Sequence, residues 1–123
     1  MKPTEAQIAE RLPVWEALSE FFLDNELQPS DYERIAGVLA ATNYTEDQLK
    51  DILIGEVYPV CRSNLLSVAG VWAGFDSGWL KENIGPRFGK RPKLRVWFMP
   101  VHRWMYAKHW NKVKLRVLEL RSK

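Results

Sequence analysis

The sequence predicts a mainly α protein: a small single-domain helical bundle, with a short β-hairpin as the alternative in the last thirty residues. Three observations lead there. Apolar residues recur at helical spacing through most of the first eighty positions. Polar start signals stand just before those runs. A chain of 123 residues is one domain's worth. At this length folding hides roughly two-thirds of the unfolded chain's surface, so a core forms without staples. An apolar content of 46% and six tryptophans supply that core.

Taken in chain order, Thr4 caps a short helical turn that runs to Arg11. Pro13 then stands where the first position of a helix tolerates a missing N–H. From Val14 to Asp24 the residues Val14, Trp15, Leu18, Phe21 and Phe22 share one face. "NELQP" is a loop, and Ser30 with Glu33 has the spacing of a capping box. Tyr32, Ile35, Ala36 and Leu39 follow on one face until "ATNY" breaks the helix. Thr45 and Gln48 repeat the capping-box spacing ahead of Leu49, Ile52, Leu53 and Val57. Pro59 ends or kinks this helix, and Cys61, Leu65, Val68 and Trp72 continue one face beyond it.

Gly70, Gly74 and Gly78 then loosen the pattern, each costing about 1 kcal/mol in a helix relative to alanine. The break falls near Gly74, with Asp76 capping a helix from Ser77 to Ile84 that Gly85 and Pro86 stop. In the last third, "KLRVWFM" reads as a strand and Pro100 opens a helix to about Asn111. Residues 112–120, "KVKLRVLEL", alternate at first as a strand does. Tyr106, Trp110, Val113, Val117 and Leu120 also fit one helical stripe, which tips the reading towards a long final helix.

Charge divides the chain more sharply than any structural signal. Residues 1–80 carry 5 lysines and arginines against 13 acids, a balance of −8; residues 81–123 carry 13 against 2, a balance of +11. The single domain, 1–123, therefore has an acidic helical part, 1–85, and a basic aromatic-rich part, 86–123. Asymmetry of this size marks a binding surface, or two pieces that attract each other. The lone cysteine, Cys61, excludes an internal disulfide and fits a reducing compartment. The N-terminus lacks the apolar core of a signal peptide, so a cytoplasmic location is expected. "LLSVAGVWAGF", eleven residues, is too short to cross a bilayer, and no membrane partner is expected.

Two stretches, "LPVWEALSEFFLDNEL" from Leu12 to Leu27 and "NLLSVAGVWAGFDSGWL" from Asn64 to Leu80, resemble a family of small, uncharacterised bacterial helical proteins, a domain of unknown function. The capping-box helices between them lie in register with that resemblance. It implies a helical fold and assigns no activity. Small families of this kind include immunity and antitoxin proteins, an analogy of class that transfers no residue.

For chemistry, His102 and His109 are seven apart, two helical turns, where a metal pair on a helix uses four. Cys61 follows apolar positions and lacks the cationic helix-start setting that activates a thiol. The glycines at 70, 74 and 78 neither follow a strand nor precede Lys-Ser/Thr, so they are no phosphate loop. No catalytic residue, metal or cofactor is expected, and the protein is read as a non-enzyme.

Two surfaces remain. Glu16, Glu20 and Asp24 recur every four residues opposite Leu18 and Phe22, a solvated face or a docking surface for a basic partner. Arg87 to Phe98, "RFGKRPKLRVWF", holds five cations and no acid. Lys90, Arg91, Lys93, Arg95 and Trp97 have the chemistry to hold phosphate and stack on bases. The acidic part would repel a polyanion, and it also supplies these cations with a nearer counterweight. The preferred expectation is a cytoplasmic protein-binding module, immunity- or antitoxin-like, that occludes a toxin stoichiometrically. The alternative is a nucleic-acid-binding accessory protein, and a homodimer stays open.

Overall fold

The computed structural model describes residues 3–23, 26–65, 75–89 and 106–122. Among these the regular structure is helical and no strand occurs. Helix α1, Glu5–Ser19, starts at Thr4. The Thr4 hydroxyl accepts from the Gln7 amide at 3.1 Å, and Gln7 Oε1 accepts from the Thr4 amide at 2.8 Å. This exchange satisfies two donors that a helix start leaves open. Pro13 does not begin a new helix, contrary to the sequence expectation; it lies inside α1. It has no N–H for the carbonyl of Ala9, but both residues are exposed, so that carbonyl is not shut away from water. On the other face Val14, Trp15 and Leu18 are fully buried. A 3₁₀ turn, Glu20–Phe22, then brings Phe21 and Phe22 into the core.

Helix α2, Pro29–Ala40, corrects the expected start at Ser30 and Glu33. Gln28 is the capping position, Pro29 takes the first helical place, and the Asp31 carboxylate accepts from the Gln28 amide at 2.8 Å. A proline there has its φ preset and forfeits no bond, which outweighs the capping-box spacing one residue on. Helix α3, Glu46–Ile52, starts as expected, with Thr45 and Gln48 exchanging bonds of 3.1 and 2.8 Å.

Pro59 does not stop the next element. The chain runs from α3 through a π turn, Leu53–Val57, straight into α4, Tyr58–Leu65, with Pro59 inside it. In the π turn the Tyr58 amide bonds the Leu53 carbonyl five residues back. Pro59 cannot donate to the Gly55 carbonyl four back, and that carbonyl accepts from Arg87 Nε at 3.0 Å instead. Cys61 is buried as expected, while Val68, Trp72, Gly70 and Gly74 lie outside the described residues. Helix α5, Ser77–Ile84, begins at Asp76, which accepts from the Trp79 amide at 3.0 Å. It passes into a 3₁₀ turn, Gly85–Arg87, where the sequence placed its end.

Helix α6, Ala107–Arg121, makes residues 112–120 helical, as the helical stripe indicated, and removes the strand alternative for that segment. The physical reason is parity. A strand would place Tyr106 and Trp110 on the face opposite Val113 and Val117; the helix buries all four and leaves Leu115 63% and Leu118 44% exposed. "KLRVWFM" and Pro100 lie outside the described residues. α6 packs chiefly along α2, and α1 packs on α2, α5 and the π turn. One core draws on both parts of the chain: Trp15, Leu18, Ile35, Leu53 and Leu80 from the acidic part, Trp110, Val113 and Val117 from the basic part.

Candidate functional site

The acidic row forms only in part. Glu16 is exposed on α1 and makes no ion pair among the described residues. Glu20 falls just past the end of α1, in the tighter 3₁₀ turn, so it leaves the α-helical row. Its carboxylate is gripped by Arg34 of α2 through two bonds of 2.6 Å, and Arg34 also reaches Asp31 at 3.2 Å. The Glu20 hydrogen bond holds the Arg34 pKa above its ordinary value, and the Gln28 amide holds Asp31 below the usual carboxylate range. Asp24 lies outside the described residues, as do Lys90, Arg91, Lys93, Arg95, Trp97 and His102.

A second constellation escaped the sequence reading. Glu56, in the π turn, is 2% exposed, the only buried charged side chain among the described residues. Arg11 Nη1 donates to Glu56 Oε2 at 2.6 Å, Trp15 Nε1 to Oε1 at 2.9 Å, and the Gly89 amide to Oε2 at 2.9 Å. Arg11 and Trp15, four apart on α1, share the face that meets the π turn. Gly89 adopts φ 77°, a conformation open to glycine, as it reaches Glu56. Arg11 also donates to Tyr44 Oη at 3.4 Å and lies under the Phe88 ring at 3.8 Å. A cleft of about 190 Å³ opens beside this node, lined by Arg11, Tyr44, Gln48, Asp51, Ile52 and Gly89 together with Glu56.

Burial pushes the Glu56 pKa up, against the hydrogen bonds of Trp15, Gly89 and Arg11. All three partners donate, so the geometry is that of a carboxylate whose lone pairs are committed. Together they anchor the Glu56 side chain between α1, the π turn and Gly89. The clue in the sequence was an acid inside the apolar run "DILIGEVYPV".

The two arginines of α6 reach the acidic part. Arg116 forks onto Glu33 at 2.7 and 2.8 Å and reaches Glu119 at 3.3 Å. Arg121 binds Glu46 at 3.0 Å and donates to the carbonyls of Leu39, Thr42 and Tyr44 at 2.6–3.2 Å, closing the C-terminal end of α2. His109 Nδ1 lies 2.6 Å from the Tyr32 hydroxyl, and its ring stacks on Phe21 with centroids 5.4 Å apart. Burial, with Lys108 and Lys112 nearby, lowers the His109 pKa. Burial likewise pushes the Cys61 thiol up to about 12, far from the thiolate a nucleophile needs. No group of three or more His, Cys, Asp or Glu among the described residues is placed to hold a metal ion.

A family model described as a domain of unknown function (DUF7079) matches residues 9–116. The chain belongs to this family. The DUF7079 match contains both stretches that carried the resemblance, Leu12 to Leu27 and Asn64 to Leu80, and extends through the basic part to Arg116. It therefore spans the Arg11–Glu56–Gly89 node and the Glu33–Arg116 pair, and ends short of Arg121. No curated protein and no solved structure matches this DUF7079 chain. Among its described residues no helix is long and apolar enough to cross a membrane.

Proposed function

We propose that this protein is a small cytoplasmic protein-binding module of the immunity or antitoxin kind, which occludes a basic partner protein through the acidic face of α1. The observation that carries the reading is the distribution of ion pairs. Arg116 and Arg121 are spent on Glu33 and Glu46, Arg34 on Glu20 and Asp31, while Glu16 stays exposed and unpaired among the described residues. Its charge is left for a partner. Long-range attraction then speeds encounter, and exposed aromatic surface slows release. Trp79, 39% exposed and stacked on Phe75 at 5.4 Å, is surface of that kind. Glu20 contributes only by exchanging Arg34 for a partner cation, so Glu16 carries the reading.

The test is capture of a partner from the source cells by the full chain carrying a photo-crosslinker at position 16. Titration calorimetry with the purified partner follows. One-to-one binding that Glu16→Lys weakens at least about tenfold, more at low salt than at high, supports the reading. Binding unchanged by Glu16→Lys sinks it. Sub-micromolar binding to DNA or RNA at about 150 mM salt, lost when Lys90 and Arg91 are neutralised, transfers the function to the basic part.

A further inference from the structure

Three consecutive residues at the root of the basic part grip the π turn or the node within it. Arg87 Nε donates to the Gly55 carbonyl at 3.0 Å. The Phe88 ring covers the Arg11 guanidinium at 3.8 Å and meets Trp15 edge-on at 6.5 Å. The Gly89 amide donates to Glu56 at 2.9 Å. We infer that Arg87, Phe88 and Gly89 form a latch that opens locally, detaching the root of the basic part from the π turn while the Arg11–Glu56–Trp15 node stays closed.

Two features separate the latch from the core. Gly89 is exposed and Arg87 and Phe88 are half-buried, whereas Gly55 and Glu56 are buried. Segments held by few buried contacts open below the free energy of global unfolding. When the latch leaves, Glu56 keeps Arg11 at 2.6 Å and Trp15 at 2.9 Å, so no buried charge is stranded. The buried Gly55 carbonyl loses its Arg87 donor, and Pro59, four residues on, has no N–H to replace it. That open acceptor draws the latch shut again. The latch sets only whether residues 87–89 are tied to the π turn, since α6 stays packed along α2, and it leaves Glu16 untouched, so it stands apart from the docking reading.

Native-state hydrogen exchange on the full chain, followed by NMR at rising sub-denaturing urea, tests it. The Gly89 amide is expected to exchange by a urea-insensitive opening, at least about tenfold faster than the amides of Ile35 and Val113. Arg87→Met is expected to speed Gly89 by roughly a further tenfold and to leave α2 and α6 unchanged. Pro59→Ala, which returns an N–H four residues after Gly55, is expected to blunt that effect of Arg87→Met. The inference fails if Gly89 exchanges only with the core, if Arg87→Met leaves Gly89 unmoved or speeds every amide alike, or if Arg87→Met unfolds the chain.

Discussion

Glu56 is a charge placed where an apolar residue would be expected, and its three donors keep it there. Removing it leaves the Arg11 guanidinium, whose side chain is 14% exposed, without its ionic partner. Breaking one side of such a pair costs about 3–5 kcal/mol, whereas replacing both partners by apolar groups is often close to neutral. Glu56→Ala is therefore expected to lose about 3 kcal/mol. Arg11→Met combined with Glu56→Leu should lose distinctly less, as judged by urea midpoints. A double variant as unstable as Glu56→Ala alone would mean the node stabilises by packing, not by charge. His109 makes a pH prediction at the same scale. Its folded pKa is depressed by burial and by Lys108 and Lys112, so the unfolded chain takes up the proton first. The stability it contributes is whole above the ordinary histidine value of about 6.5 and is lost as pH falls through that value towards the lower folded one. His109→Gln should flatten the unfolding free energy between pH 7 and about 5, above the titration of most carboxylates. Equal slopes in both proteins would show that His109 titrates alike folded and unfolded.

At the scale of elements, helix starts were legible where a side-chain cap stood alone. Thr45–Gln48 and Asp76 cap the helices that follow them. Where two signals competed, the backbone constraint prevailed: Pro29 took the first helical position and Gln28 the cap, so Ser30 is the second residue of α2. Thr45→Ala is accordingly expected to cost about 1 kcal/mol. Ser30→Ala, exposed and outside the cap, should stay within about 0.5 kcal/mol of the parent. Denaturant midpoints with unchanged slopes separate the two, and equal losses would put the start of α2 back at Ser30. Pro13 and Pro59 carry the complementary lesson. Both break a hydrogen bond inside a helix, yet both helices continue, because tertiary burial of Trp15 and Leu18 in one case and of Val57, Tyr58 and Cys61 in the other outweighs the lost bond.

For the whole molecule the governing fact is how the two charged parts meet. α6 lies along α2, and its last arginine ties five groups of the acidic part together. Charged donors to backbone carbonyls are worth about 1.5–3 kcal/mol when their loss leaves the acceptors open. Arg121→Met is expected to cost about 2 kcal/mol on that ground. Arg116→Met should cost less, because Glu33 and Glu119 are exposed and surface pairs contribute little. Thermal unfolding of both variants at low and at about 0.5 M salt ranks them, since screening should erase the Arg116 loss before the Arg121 loss. The reverse order would mean that the parts are held by long-range charge and not by the end of α2.

Helical class, the core faces of α1, α2 and α3, the burial of Cys61 and the division of charge all followed from the sequence by itself. Each depends on neighbours within about one or two helical turns, a range over which periodicity and capping chemistry act directly. Residues 112–120 were ambiguous at that range, since alternation and a helical stripe coexist there. The choice fell to α2, whose apolar face receives Trp110, Val113 and Val117 together. The Glu56 node was beyond local reading for the same reason. Its partners stand 41 and 45 residues before Glu56 and 33 after it. An acid in an apolar run says that a partner must exist, and only the packing of α1 and of residues 87–89 on the π turn says which. The acidic row shows the same limit: its spacing of four assumes a continuous α-helix, and only the tertiary structure shows the turn tightening at Glu20 and Arg34 of α2 holding its carboxylate.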